Sequence, residues 1–193
     1  MQKSAVFIDR DGTLIVEVGY LSNPDQLELF ESSAESVKKL NDAGILSILV
    51  TNQSGVARGY FGEDTVNLLN QKLSDVLKEN DAYLDAVYYC PHHKNGIIEK
   101  YKKDCDCRKP KPGLINQAIA DFKNINLEKS YVIGDKACDI ELAKNAGCKG
   151  ILLKTGYGTQ VLEESNQNYI KPDYVAENMI DAVNWLLDDL KTC

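Results

Sequence analysis

At 193 residues, with 44% hydrophobic and 26% charged positions, the chain has the length and composition of one globular domain able to bury a core. Its 22 basic and 29 acidic residues leave a net charge of −7, which excludes general attraction to nucleic acid or an anionic membrane, though a local basic cluster could still hold a phosphorylated small molecule. No apolar run approaches the roughly 20 residues needed to span a bilayer.

The first residues enter a strand without the apolar stretch of a signal peptide. The expected compartment is therefore the cytoplasm, where six cysteines read as thiols or metal ligands rather than disulfides. A short apolar strand over 5–8 runs into Asp9-Arg10-Asp11-Gly12-Thr13. Two carboxylates two positions apart at the end of a buried strand suit a metal ion and covalent or acid–base chemistry; an ordinary polar turn would spend them on backbone amides. Residues 16–31 read as an ordered loop or short hairpin. A helix follows over 33–43, with Ser32 or Ser33 as N-cap and Gly44 just beyond its end. Residues 45–50 form a strongly apolar strand ending in Thr51-Asn52-Gln53-Ser54, and 64–79 carry apolar residues at helical spacing.

A third strand over 85–89 leads into 90–111, which is irregular and rich in Cys, His, Lys and Pro. Pro112 at the first helical position opens a helix to 122. A strand over 131–133 precedes Gly134-Asp135-Lys136, a helix over 139–145 stops at Gly147, and 151–153 is another strand. Residues 156–170 read as a polar, mobile loop or partly formed helix, 174–175 as a last strand and 176–190 as a closing amphipathic helix. This alternation predicts an α/β fold, a Rossmann-like parallel sheet sandwiched by helices, in a single domain over 1–193. In such sheets ligands gather outside the carboxyl ends of the strands. Asp9, Thr51, Cys90 and Asp135 should therefore share one edge.

Three constellations carry chemistry. The carboxylates Asp9, Asp11 and Asp135 offer the hard oxygen ligands that Mg²⁺ prefers. Asp139 reads equally well as a helix cap or as a support for that metal. Thr51, Asn52, Arg108, Lys109 and Lys136 supply a hydroxyl, turn amides and cations that can hold a tetrahedral oxyanion. Finally, Cys90 and His92, then Cys105 and Cys107, form two close pairs separated by twelve residues, which can close a tetrahedral Cys₃His zinc site in a loop over about 90–107. His93 competes with His92 as the nitrogen ligand. Such a site has no open position, so its metal is structural.

With these residues assembled, the chain resembles the haloacid dehalogenase superfamily of aspartate-nucleophile phosphatases, through DRDGT, the apolar strand ending in Thr51-Asn52, Lys109 and GDKACD. FIDRDGTLI, VTNQSGVARG, YYCPHH, CDCRKPKPG and YVIGDK narrow the resemblance to the capless D-glycero-D-manno-heptose 1,7-bisphosphate 7-phosphatases and their relatives, the histidinol-phosphate phosphatases. The resemblance implies a capless haloacid dehalogenase-like fold with a zinc-binding loop, which agrees with the 17 residues between Ile15 and the first helix, too few for a cap. It implies Asp9 as nucleophile and Asp11 as proton donor to the leaving group, then acceptor from water. Mg²⁺ would be held by Asp9, the Asp11 carbonyl and Asp135, and the phosphoryl group by Thr51 and Lys109. Glu17, Val18, Gly19, Tyr20, Asn52, Gln53, Ser54 and Arg108 match substrate-recognition positions, and Lys136 is expected beside Asp9 or phosphate. The implied activity is Mg²⁺-dependent hydrolysis of the C7 phosphate in nucleotide-activated heptose synthesis, with histidinol phosphate as the alternative substrate. A small sugar phosphate is the expected partner, with no nucleic acid and no membrane, and the expected state is a monomer.

Overall fold

The structure, a computed structural model, describes residues 2–165 and 171–192. Among the described residues six strands form one sheet: β1 (Ala5–Ile8), β2 (Leu46–Asn52), β3 (Ala86–Cys90), β4 (Tyr131–Gly134), β5 (Lys149–Leu153) and β6 (Tyr174–Ala176). Their order is β3-β2-β1-β4-β5-β6, and every pairing is parallel. Helices α1 (Ser33–Asp42), α2 (Glu63–Glu79), α3 (Gly113–Phe122), α4 (Ala137–Ala146), α5 (Gly158–Ser165) and α6 (Met179–Thr192) complete the expected alternation.

Alternate side chains of the buried strands feed two separate cores. Val6, Ile8 and Leu49 pack with Val37 and Leu40 of α1, Leu69 and Leu73 of α2, and Val183 and Leu186 of α6 on one face. Ala5, Phe7, Ile48 and Val50 pack with Leu114, Ile115 and Leu142 of α3 and α4 on the other. Burying each such aliphatic side chain stabilises the fold by about 1.5–3 kcal/mol. Connections leave β1 towards β2 and β4 towards β5, so the strand order reverses between β1 and β4. Crevices in open parallel sheets form at such a reversal, and Asp9 and Asp135 flank it.

Local chemistry explains where the elements differ from expectation. Residues 16–31 do form a short antiparallel excursion: Val16 N–H donates to Glu28 O at 2.9 Å and Phe30 N–H to Leu14 O at 3.1 Å. At α1 neither serine caps in the usual way; the Ser33 hydroxyl instead donates to Leu14 O at 2.7 Å, tying the helix to that excursion. Pro112 is the residue before α3 rather than its first turn, because Gly113 N–H donates to Asp106 O at 2.9 Å and seats the preceding loop against the helix start. Helix α4 begins two residues early, at Ala137, since the Asp139 carboxylate accepts from Lys136 N–H at 3.1 Å and stabilises the first turn. Residues 158–165 are helical, and the remainder of the expected mobile loop, 166–170, lies outside the described residues. Helix α6 starts at Met179 rather than 176, because Ala176 still belongs to β6 and Asn178 accepts from Asp181 N–H at 3.1 Å as its cap.

At the amino end of the sheet, Trp185 of α6 stacks on Tyr174 (centroids 4.7 Å apart) and meets Tyr131 edge-on at 6.3 Å. The Tyr131 hydroxyl donates to Asp189 at 2.6 Å and the Tyr174 hydroxyl to Asp181 at 3.2 Å, so both phenol ends of this aromatic corner are satisfied. Among the described residues no helix is long and apolar enough to cross a membrane.

Candidate active site

The carboxyl ends of β1, β2 and β4 open into a pocket of about 260 Å³ lined by Asp9, Asp11, Thr51, Lys109, Lys136 and neighbouring loop residues. Asp9, 4% exposed, follows β1 directly. Its Oδ1 accepts from Arg10 N–H at 2.8 Å and lies 2.8 Å from Lys109 Nζ. Burial pushes its carboxyl up, but the ammonium groups of Lys109 and Lys136 outweigh that and hold it below the usual carboxylate range. Asp9 is thus kept as an anion, the form a nucleophile needs.

Lys109 lies between two carboxylates, 2.8 Å from Asp9 and 2.7 Å from Asp139. Burial works against its charge, yet Asp139 and Asp9 hold it above the ordinary lysine range. Asp139 therefore anchors both Lys109 and the first turn of α4. Gly134 permits this: a side-chain carbon there would sit 2.2 Å from the Asp139 carboxyl.

Asp135 is sandwiched between two glycines. Gly12 and Gly156, both at positive φ (85° and 53°), approach so closely that an added Cβ would lie 2.2 and 2.1 Å from its Oδ2. Oδ2 accepts from Tyr157 N–H at 2.9 Å, while the buried Oδ1 has no hydrogen-bond partner and lies 3.5 Å from Lys136 Nζ. Burial pushes the Asp135 carboxyl up to about 7, against the pull of Lys136 and with Asp9 adding repulsion. Oxygens of Asp9, Asp135 and Asp139 all lie within 4.8 Å of one another. Three buried carboxylates thus face the ammonium groups of Lys109 and Lys136, and the orphaned Oδ1 marks where more positive charge fits. The donor set is all oxygen, which suits a hard divalent cation.

Lys136 donates to the Asp11 carbonyl at 3.2 Å and to Glu17 Oε2 at 2.9 Å. Its ammonium therefore sits by the Asp11 carbonyl and Asp135 instead of pairing directly with Asp9. The Asp11 carboxylate faces elsewhere on the pocket wall. Arg10, 1% exposed, forks onto it from Nε and Nη2 at 3.1–3.3 Å, and Gln53 Nε2 donates to it at 2.8 Å. The far end of the guanidinium donates to Asn70 Oδ1 on α2 at 2.9 Å. Gln53 also donates to Thr51 Oγ1 at 2.9 Å, linking two of the expected site residues.

Of the expected recognition residues, Glu17, Gly19, Tyr20, Asn52, Gln53, Ser54, Arg108 and Lys136 line the pocket. Val18 does not: it is 53% exposed, at a bend where Gly19 takes a positive φ of 83° and its N–H donates to the Glu17 carboxylate at 2.7 Å. Sequence reading missed Arg10 and Asn70 as supports of Asp11, and Tyr157, whose ring lies 5.0 Å from Lys136 Nζ. Tyr157 had a signal, since it lies just past the end of β5. Asn70 had none beyond being a polar residue on an otherwise apolar helix face.

The Cys90, His92, Cys105 and Cys107 donors converge beside the pocket. The three sulfurs lie 3.2–3.4 Å apart, and His92 Nδ1 is 3.3 Å from Cys107 and 3.8 Å from Cys90. Hydrogen bonding between Cys107 and Cys90, helped by His92, holds the Cys107 thiol below its ordinary range, which suits it to ligate a cation. His93 is excluded from this cluster: its Nε2 lies 3.4 Å from Arg58 and its Nδ1 accepts from Asn95 N–H. Arg108 follows the last cysteine and donates to His92 O at 3.2 Å, so the cluster abuts the pocket wall.

A crevice at the β1/β4 reversal thus holds an anionic Asp9 near its centre, flanked by two buried or half-buried lysines. The HAD-hydrolase-like family model matches residues 106–182. The D-glycero-D-manno-heptose-1,7-bisphosphate 7-phosphatase of Thermosynechococcus vestitus is 44% identical over 98% of both chains. The D-glycero-beta-D-manno-heptose-1,7-bisphosphate 7-phosphatase of Pasteurella multocida is 43% identical, covering 93% of this chain and 94% of its own. The crystal structure of D,D-heptose 1,7-bisphosphate phosphatase from B. bronchiseptica, complexed with magnesium and phosphate, superposes with a TM-score of 0.85 at 28% identity, over 96% of this chain and 99% of that one. The chain belongs to the heptose-1,7-bisphosphate 7-phosphatase family of haloacid dehalogenase-like hydrolases, and it is a phosphoric monoester hydrolase.

Proposed function

We propose that this chain is a Mg²⁺-dependent phosphatase that removes the C7 phosphate of D-glycero-β-D-manno-heptose 1,7-bisphosphate, a step towards nucleotide-activated heptose. The observation that carries the reading is Asp9: a buried carboxylate held as an anion 2.8 Å from Lys109, facing a pocket whose wall carries a second carboxylate, Asp11. Asp9 attacks phosphorus and forms an aspartyl-phosphate while Asp11 gives its proton to the departing C7 alkoxide. Asp11 then takes a proton from water, which attacks the same phosphorus and releases Asp9 and phosphate. Thr51 and Lys109 stabilise the phosphoryl oxygens; Arg10 and Gln53 fix which way the Asp11 carboxylate faces.

Asp9, the Asp11 carbonyl and Asp135 would hold Mg²⁺, and the orphaned Asp135 oxygen supports the assignment. When bound, this ion neutralises charge on the phosphoryl group. Glu17, Gly19, Tyr20, Gln53, Ser54, Arg108 and Lys136 form the recognition surface for the sugar and its second phosphate. The β anomer follows the printed name of the P. multocida relative. We take residues 1–193 as one domain, working as a monomer. A cytoplasmic setting is supported by Cys90, Cys105 and Cys107, which gather with His92 as metal donors. The test is kcat/KM for the β and α anomers beside histidinol phosphate, with the β anomer expected to lead each by at least about tenfold. A preference for histidinol phosphate overturns the substrate assignment.

The Cys₃His cluster would hold zinc through Cys90, His92, Cys105 and Cys107; its closed donor set and short S–S separations support a structural role. Because Arg108 and Lys109 follow Cys107 directly, Cys107→Ala is expected to release zinc and lower kcat by about tenfold or more. Metal content and steady-state kinetics check it; a folded, zinc-free variant with unchanged kinetics refutes the coupling.

A further inference from the structure

We propose that Asn52 is a positioning residue that sets Lys109 in place, rather than a substrate contact. This rests on the reading of Lys109 as the phosphoryl-stabilising cation. Asn52 is the last residue of β2, next to Thr51, and its side-chain amide engages the Lys109 main chain at both ends. Oδ1 accepts from Lys109 N–H at 3.1 Å, and Nδ2 donates to Lys109 O at 3.2 Å. Lys109 lies in an irregular segment between the cysteine loop and α3, so its main chain has no ladder to hold it. Asn52 substitutes for that ladder and docks the segment onto the rigid end of the central sheet. One residue on, Asn145 of α4 donates to Pro110 O at 2.9 Å, so the segment is stapled from both sides.

The consequence reaches the chemistry through a lever. The Lys109 ammonium sits at the end of a four-carbon stem, and its 2.8 and 2.7 Å contacts with Asp9 and Asp139 depend on where its Cα is held. Loosening that Cα displaces a charge needed in the transition state while leaving the recognition surface intact, so the loss falls on kcat.

The test is a double-mutant cycle on D-glycero-D-manno-heptose 1,7-bisphosphate, with Asn52→Ala, Lys109→Ala and the double variant. Asn52→Ala should lower kcat by about ten- to a hundredfold with KM shifted less than about threefold. In the Lys109→Ala background the same substitution should change kcat by less than about twofold, because the positioned group is already gone. Asn52→Asp, which keeps the volume and the acceptor but lacks the donor, should show the same overlap and serves if the alanine variant does not fold. A raised KM with kcat unchanged, or losses that multiply in the double variant, overturns the proposal. Full activity in Lys109→Ala alone refutes the reading of the site beneath it, and absence of wild-type turnover refutes the substrate; the three failures are distinct.

Discussion

Asp9→Asn is expected to lower kcat by about 10⁴-fold or more while leaving the protein folded. The amide has no lone pair comparable to that of a carboxylate for attack on phosphorus, so the covalent route closes. The fold should tolerate the change because the position keeps its hydrogen bonds: an amide oxygen can still accept from Arg10 N–H and from Lys109, both now at 2.8 Å. Lys109 also retains Asp139 at 2.7 Å, so no ammonium is left buried without a counter-charge. Single-turnover kinetics check the prediction, with acid quenching to capture the phosphorylated enzyme. Wild-type protein should accumulate a phosphoenzyme and the variant none. Retention of more than about a hundredth of wild-type turnover would remove Asp9 from the nucleophile's role.

Lys109→Met should damage both activity and stability. Removing a preorganised cation from the reacting phosphoryl group costs about 10³-fold in kcat. The stability loss comes from the two carboxylates left behind: Asp139 is fully buried and Asp9 nearly so, and both lose their nearest counter-charge. Breaking a buried pair in this way typically costs about 3–5 kcal/mol. Urea unfolding measures the loss. Adding Asp139→Asn should restore much of the stability, since one of the stranded charges is removed, without restoring activity. Recovery of both together, or wild-type kcat in the single variant, would show that Lys109 serves the fold alone.

Much of this site was legible because it obeys a rule about strand ends. Apolar runs marked β1, β2, β3 and β4, and the residues after them, Asp9, Thr51, Cys90 and Asp135, needed only the topology to be brought to one edge. What stayed hidden depends on side chains that meet across long loops. Nothing near Arg10 announces that its guanidinium turns inward to Asn70, sixty residues away, and forks over Asp11. The choice between His92 and His93 was also beyond spacing, because adjacent residues present similar reach; it is decided by Arg58, which engages His93 from a separate loop. Val18 shares its neighbours' place in the chain, but at the bend made by Gly19 it faces outward. Element ends moved where a side chain satisfied a terminal amide, as Asp139 does for α4 and Asn178 for α6.

The aromatic corner has a practical use. Trp185 is the only tryptophan in the chain, and it stacks on Tyr174 at the end of the sheet opposite the pocket. Tyr131, its edge-on neighbour, precedes Asp135 by about 13 Å of extended strand. Its emission therefore reports on whether the α6–β6 corner is assembled and is insulated from charges added or removed around Asp9. Intrinsic fluorescence gives each variant its own internal gauge of folding, recorded in the same cuvette as turnover, so a dead enzyme can be told from an unfolded one without a label.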